Sequence, residues 1–121
     1  MKAVFDTNIL IDYLNGIAAA AEELALYDEK LISIITYIEV MVGVSSSEEE
    51  AVIQGFLDSF TVCELSAAIA NESISLRKKH RLKVPDAIVY ATAKSEKTII
   101  VTRNTKDLKP DWPDVRMPYT V

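Results

Sequence analysis

Four acidic residues in this sequence follow apolar segments, and their side-chain chemistry would be useful if they met. Asp6 ends the first apolar run, and Glu39 lies about one helical turn into the segment after the second. Asp86 follows Pro85 at the start of a late segment, and Asp107 comes five residues after the last apolar run. In open α/β sheets, ligands bind beyond the carboxyl ends of the strands. These positions therefore suggest one shared cleft.

Each acid also has an ordinary structural explanation. Asp6 is suited to cap the helix that follows it, and Glu39 could be an exposed helical residue. A first-turn position such as that of Asp86 is favoured by the helix dipole alone, and Asp107 could form a turn. The neighbours of Glu39 are mostly apolar, so its helix has little polar face to offer. The residues by themselves leave both interpretations open for each acid.

If the four carboxylates converge, they require a cation, because neighbouring negative charges raise one another's pKa. Oxygen ligands suit Mg²⁺ or Mn²⁺ better than zinc. Such a site suits phosphodiester hydrolysis, in which a metal ion activates water and stabilises charge on the phosphate. The only histidine, His80, excludes a ribonuclease of the two-histidine type. We interpret His80 as a solvated helical residue.

Apolar periodicity predicts alternating strands and helices, and hence an α/β class with a mainly parallel sheet. The predicted strands are residues 2–6, 30–34, 61–65 and 98–102, with a possible edge strand in 115–121. The predicted helices are 8–15, 18–28, a segment capped by Thr36, a segment capped within 45–47, 66–81 and 85–95. No glycine-rich phosphate loop is present, so a nucleotide cofactor is not expected.

Composition predicts a single domain over residues 1–121, half of them apolar. No apolar run approaches the ~20 residues that a membrane span requires. We find no pattern of a signal peptide and expect a cytoplasmic protein. The only cysteine, Cys63, excludes an internal disulfide and a cysteine-rich zinc site.

Charge is distributed unevenly along the chain, whose formal net charge is −5. Residues 1–72 contain 13 acids and 2 bases, whereas residues 73–121 contain 5 acids and 11 bases. This division predicts an acidic face and a basic face on one small body. The alternative is that these charges only solvate helices.

Four segments of the sequence, taken together and in this order, resemble the PIN-domain family, specifically the VapC-type toxins of toxin–antitoxin pairs. They are VFDTNILIDYL, TYIEVMVG, LKVPDAIVYATA and IIVTRNTKDL. The resemblance covers nearly the whole chain and implies a three-layer α/β/α sandwich. It further implies an Mg²⁺- or Mn²⁺-dependent endoribonuclease that forms a homodimer and is inhibited by a cognate antitoxin.

The resemblance assigns roles to individual residues. It implies Asp6, Glu39, Asp86 and Asp107 as the catalytic, metal-binding acids. The polar residues that match neighbouring family positions, and that we expect to orient these acids, are Asn8, Thr102 and Asn104. The basic residues that we expect to contact RNA phosphates are Arg103, Lys106, Arg81 and Lys83, with Arg103 and Lys106 the best candidates.

Two nearby residues receive structural interpretations. We interpret Asp12 as a surface or capping residue and Tyr90 as a core or interface residue. Two other functions are also considered. One is a catalytically silent PIN-fold binding module. The other is a receiver-type signalling domain, which the sequence disfavours because such domains need a phospho-accepting aspartate after a central strand, and the segment TVCELS offers Glu64 instead.

Overall fold

The computed structural model describes residues 1–121, which form five strands and six helices. The strands are β1 (Lys2–Phe5), β2 (Glu29–Ser33), β3 (Thr61–Cys63), β4 (Ile99–Val101) and β5 (Val115–Arg116). The helices are α1 (Thr7–Leu14), α2 (Ala18–Ala25), α3 (Ile34–Val42), α4 (Ser47–Leu57), α5 (Ala67–His80) and α6 (Val84–Ser95). The predicted strands and helices are therefore all present, with ends that differ by a few residues.

The strands form one parallel sheet in the order β3-β2-β1-β4-β5. Val4 lies between Leu31 of β2 and Ile100 of β4. The strand order reverses between β1 and β4, and such a switch point opens a crevice at the carboxyl ends of the strands. Receiver-type domains instead have the order 2-1-3-4-5. The receiver-type alternative is therefore wrong.

Two hydrophobic cores cover the two faces of the sheet, because successive side chains along a strand point to opposite faces. Val4 packs with residues of α5 and α6 on one face. Its neighbours Ala3 and Phe5 pack with residues of α1, α2, α3 and α4 on the other. The α/β/α sandwich is confirmed. Burial on both faces explains why the strand sequences are continuous apolar runs.

Most local signals act as the sequence predicts. Ser46 accepts a hydrogen bond from the Glu49 backbone N–H at the start of α4, and Ser66 caps α5 in the same way. The expected cap of α3 was wrong. The helix begins two residues earlier than Thr36, and the Ser33 hydroxyl accepts from the Ile35 N–H.

The C-terminal segment adds a fifth strand, as the sequence suggested, because β5 pairs in parallel with β4. Tyr90 is a core residue, as expected, and its hydroxyl donates to Asp114 Oδ1 at 2.6 Å. His80 is not fully solvated. It is half-buried, and its ring lies 4.2 Å from that of Trp112. None of the helices has the length and apolar character that crossing a membrane would require.

Candidate active site

Asp6 lies at the switch point, directly after β1, and it begins α1. Its Oδ1 accepts a hydrogen bond from the Thr7 backbone N–H at 2.8 Å, so it caps the helix. Its Oδ2 accepts from the Thr102 hydroxyl at 2.8 Å, and Thr102 follows β4 on the other side of the switch point. The two strands that flank the crevice are thus joined at this carboxylate. Asp6 is only 6% exposed, and burial raises its pKa.

A chain of polar contacts extends from Asp6 towards Asp107. The Asn8 amide donates to Asp6 Oδ2 and to the Thr102 hydroxyl, both at 3.2 Å. The Thr102 hydroxyl also accepts from the Asn104 backbone N–H at 2.9 Å. The Asn104 amide donates to Asp107 Oδ2 at 3.2 Å. The three residues expected to orient the acids therefore connect two of those acids.

Glu39 joins the same cleft through a residue that the sequence reasoning missed. The Thr7 hydroxyl donates to Glu39 Oε1 at 2.6 Å and lies 3.1 Å from the hydroxyl of Thr36. Glu39 is exposed to solvent, whereas Thr36 is fully buried. The position of Thr7 directly after Asp6, as the first residue of α1, was the available signal for its role.

Asp86 lies in the first turn of α6 and is half-buried. Burial and the negative charges of Asp6 and Asp107 raise its pKa to about 6. The charge of Glu39 acts in the same direction, while that of Lys83 opposes it. All four predicted acids are therefore close enough to interact electrostatically. Together, these four residues form the acidic cleft: Asp6, Glu39, Asp86 and Asp107.

The acidic cleft fits a hard divalent cation in the chemistry of its donors, because every candidate ligand is a carboxylate oxygen. Burial first, and then the charges of Asp6 and Asp107, raise the pKa of Asp86, and a bound cation would offset the repulsion between these carboxylates. No three acidic, histidine or cysteine side chains are placed around one common point where an ion would bind. The acids are neighbours rather than a completed ligand shell.

Asp12 differs from its sequence interpretation. It is 7% exposed and is neither a surface residue nor a cap. Arg103 Nε donates to Asp12 Oδ2 at 2.5 Å and Arg103 Nη2 to Oδ1 at 2.8 Å, while the Tyr119 hydroxyl donates to Oδ2 at 2.8 Å. These donors lower the pKa of the Asp12 carboxyl. Arg103, expected to contact RNA, thus has its guanidinium paired inside the fold.

The other basic candidates are free of such partners. Arg81, Lys83 and Lys106 are exposed, and none of them takes part in the five ion pairs of the structure. Arg81 and Lys83 lie in the connection between α5 and α6, and the positive charge of Lys83 acts on Asp86 by opposing the rise in its pKa. Positive charge therefore borders one side of the acidic cleft.

Comparison with known proteins agrees with this geometry. The family model described as PIN domain matches residues 3–110. A chain of a toxin–antitoxin complex from Klebsiella pneumoniae is 41% identical, with a TM-score of 0.93 and coverage of 98% of this chain and 99% of that one. Among curated proteins, a sequence search gives no match.

More distant structures share the fold. VapBC2 from Rickettsia felis, bound to a DNA fragment from its promoter, is 23% identical with a TM-score of 0.76, covering 95% of this chain and 96% of that one. FitAcB from Neisseria gonorrhoeae is 20% identical with a TM-score of 0.81, covering 98% and 99%. The family match spans most of the chain, and it includes all four residues of the acidic cleft. The chain belongs to the PIN domain family.

Proposed function

We propose that this protein is a divalent-metal-dependent endoribonuclease that acts as the toxin of a toxin–antitoxin pair. The observation that carries the proposal is the acidic cleft at the sheet's switch point. There, burial and the charges of its neighbours raise the pKa of Asp86 to about 6, and no arginine neutralises the group. None of the four acids takes part in an ion pair, and acids without a paired protein cation are suited to bind a metal cation.

The four carboxylates of the acidic cleft would hold Mg²⁺ or Mn²⁺. When bound, the ion supplies positive charge that activates a water molecule and stabilises charge on the phosphate. Thr102 and Asn8 orient Asp6 through hydrogen bonds to its Oδ2. Thr7 orients Glu39, and Asn104 orients Asp107. Each acid except Asp86 thus has a neutral donor that limits its rotation and leaves its charge intact.

The RNA backbone would approach along the free basic residues beside the cleft. Arg81, Lys83 and Lys106 are exposed and unpaired, so each can neutralise a phosphate. Arg103 is the weakest of the four candidates, because its guanidinium is already paired with Asp12. The basic residues reduce the repulsion that phosphates would otherwise meet at the acids.

An antitoxin partner is supported by the Klebsiella pneumoniae neighbour, whose description is a toxin–antitoxin complex. A homodimer is implied by the resemblance to VapC-type toxins. Mass measurement of the purified chain tests the dimer, and a monomer at high protein concentration would contradict it. Co-expression with a candidate antitoxin tests this partner, because a cognate antitoxin should abolish the growth inhibition that this chain causes.

A catalytically silent binding module is the second candidate. It is favoured by one observation, that no three acids surround a common point. The two functions differ in metal binding. A catalytic cleft should bind Mn²⁺ through Asp6 and lose that binding in Asp6→Asn, whereas a silent module has no reason to bind it.

The direct test is RNA cleavage by Asp86→Asn in the presence of Mn²⁺. We expect a loss of at least about 100-fold in rate with the fold retained, because the substitution removes a ligand charge and leaves the shape unchanged. The matched control is Asp58→Asn at the exposed end of α4, which should cleave like the wild type. Full activity of Asp86→Asn, or of the wild type in excess chelator, would contradict the proposal.

A further inference from the structure

We propose that Asp12 is a positioning residue for the acidic cleft, acting through Arg103 on the loop that carries Asn104 and Asp107. This inference rests on the proposed function, since the role assigned to Asp12 is to hold metal-binding groups in place. The effect of Asp12 is carried by hydrogen bonds and an ion pair between α1, the loop after β4 and the C-terminal segment. The three side chains that contact one another here form the triad: Asp12, Arg103 and Tyr119.

Arg103 is attached to α1 at two points. Its backbone N–H donates to Asn8 Oδ1 at 3.0 Å, and its guanidinium forms a two-point ion pair with Asp12. Asn8 and Asp12 are four residues apart in α1 and therefore lie on the same face of that helix. Two attachments to one face prevent the loop from sliding along the helix or rotating about a single bond.

The position of the Arg103 backbone determines the positions of its neighbours. Thr102, on one side, donates to Asp6 Oδ2. Asn104, on the other side, donates its side-chain amide to Asp107 Oδ2, and its carbonyl accepts from the Leu108 N–H at 3.0 Å. If Arg103 is released from α1, both the Asp6 contact and the Asp107 contact lose their support. Asp12 thus acts on the acids without touching them.

Burial makes the pair a fixed connection. The Asp12 side chain is 9% exposed and the Arg103 side chain 28% exposed. Tyr119 completes the triad by donating to the same Oδ2 that accepts from Arg103 Nε. If Arg103 bound an RNA phosphate instead, the buried Asp12 carboxylate would keep only the Tyr119 hydroxyl as a donor. That exchange is unfavourable, because a buried charge that loses its partner is strongly destabilising.

The chain contains a matched control for this triad. Glu23 of α2 accepts a two-point ion pair from Arg116, at 2.6 and 2.9 Å, and a hydrogen bond from the Tyr27 hydroxyl at 2.9 Å. Like the triad, it combines a carboxylate, an arginine and a tyrosine. None of its side chains contacts the acidic cleft, and its one link to the site is the Arg116 carbonyl, which accepts from the Thr102 backbone N–H at 3.0 Å and is retained when the Glu23 side chain changes. Asp12→Asn and Glu23→Gln both replace one negative charge with an amide, so they differ chiefly in location.

The experiment measures two quantities in wild type, Asp12→Asn, Tyr119→Phe and Glu23→Gln. The first is hydrogen exchange of the Arg103 and Asn104 backbone amides by NMR without metal. The second is the affinity for Mn²⁺ by calorimetry. In Asp12→Asn we expect both amides to exchange about ten-fold faster and Mn²⁺ to bind about ten-fold more weakly. Tyr119→Phe should give smaller changes in the same direction, and Glu23→Gln should leave both readouts within about two-fold.

Unchanged exchange at Arg103 and Asn104 in Asp12→Asn would overturn the inference, as would equal effects of Asp12→Asn and Glu23→Gln on Mn²⁺ affinity. If Asp12→Asn fails to fold, Tyr119→Phe supplies the same comparison with a smaller perturbation. Absence of Mn²⁺ binding by the wild type would overturn the proposed function and, with it, the role of Asp12 at a metal site. Faster amide exchange in Asp12→Asn would then establish only a structural attachment.

Discussion

Two sets of acids in this molecule have opposite surroundings. Asp12 and Glu23 are buried, and each is held by a two-point arginine pair and a tyrosine hydroxyl, which lower the pKa of both carboxyls. In the acidic cleft, Asp6 accepts hydrogen bonds from neutral donors, and Asp86 lies near other acids. Their pKa values are raised, by burial first and then by neighbouring carboxylates for Asp86.

The difference shows how residues of one type serve two purposes. The charge of a buried carboxylate in a two-point ion pair with arginine is already neutralised. Such a carboxylate connects parts of the fold and does not require a metal ion. A buried carboxylate among other carboxylates is destabilising until a cation arrives. The paired acids connect the C-terminal segment to α1 and α2, while the unpaired acids are neighbours at the switch point.

The largest expected effect on stability comes from removing one of the paired acids. Asp12→Ala should lower the free energy of unfolding by about 3 kcal/mol and Glu23→Ala by about 2 kcal/mol, because each leaves an arginine without its partner. The second effect is smaller because the Arg116 side chain is 45% exposed, against 28% for Arg103. Urea denaturation measures both values. Glu22→Ala, an exposed acid in α2, should change stability by less than about 0.5 kcal/mol. Losses below that size for the buried pairs would contradict their assigned role.

A change of opposite sign is expected for the acidic cleft. Asp86→Asn should raise the free energy of unfolding of the metal-free protein at pH 7 by about 1 kcal/mol, a value reduced by solvent screening at this half-buried group. The pKa of Asp86 is raised to about 6 in the fold from an ordinary value of 3.8. The contribution of Asp86 to stability therefore falls as pH rises from about 4 to about 6, and the advantage of Asp86→Asn should vanish below about pH 4. Denaturation at several pH values, with Asp58→Asn as the control, measures it.

The paired acids should show the opposite pH dependence. Their lowered pKa values contribute stability that is present at neutral pH and lost as pH falls below about 4. Destabilisation by Glu23→Gln should accordingly diminish below about pH 4. The stability gained in Asp86→Asn should appear only above about pH 4. Parallel pH profiles for the two variants would contradict the distinction between the two sets.

The smallest effect separates free from paired basic residues. RNA binding weakens with salt, and the log of the binding constant falls linearly with the log of the salt concentration. Lys83→Gln should make this slope shallower by about 0.7, which is the contribution of one phosphate contact with a single strand. Arg103→Gln should leave that slope unchanged and instead weaken Mn²⁺ binding, because Arg103 is paired with Asp12. Binding to the metal-inactive Asp86→Asn background avoids cleavage during the measurement. An equal loss of slope in both variants would identify Arg103 as an RNA contact.

The sequence predicted what local patterns determine. Continuous apolar runs indicated strands buried on both faces, and serines before acidic or apolar segments indicated helix starts at Ser46 and Ser66. The acids after β1, β2 and β4 could be predicted to share a cleft because parallel strands end at one edge. The predicted cap of α3 was wrong, because Ser33 and Thr36 are both suited to that position by residue type. In the structure Ser33 caps the helix, and the Thr36 hydroxyl accepts from the Thr7 hydroxyl.

The triad could not be predicted from local patterns. Asp12 and Arg103 are 91 residues apart, and their pairing depends on how α1 packs beside the loop after β4. Its third member, Tyr119, comes from a segment with no regular structure of its own. An acid four residues after Asn8 gives no local sign that it will be buried, so a surface interpretation was the natural one for Asp12.

The most direct test of the central claim is anomalous diffraction from crystals soaked in Mn²⁺. We predict an anomalous peak in the acidic cleft, within coordination distance of carboxylate oxygens that include those of Asp6 and Asp86, and no peak at Asp12 or Glu23. The same soak of Asp86→Asn should show a weaker peak or none. A cleft without manganese in the wild type, with the crystals intact and the acids ionised, would contradict the claim that these unpaired acids form a metal site.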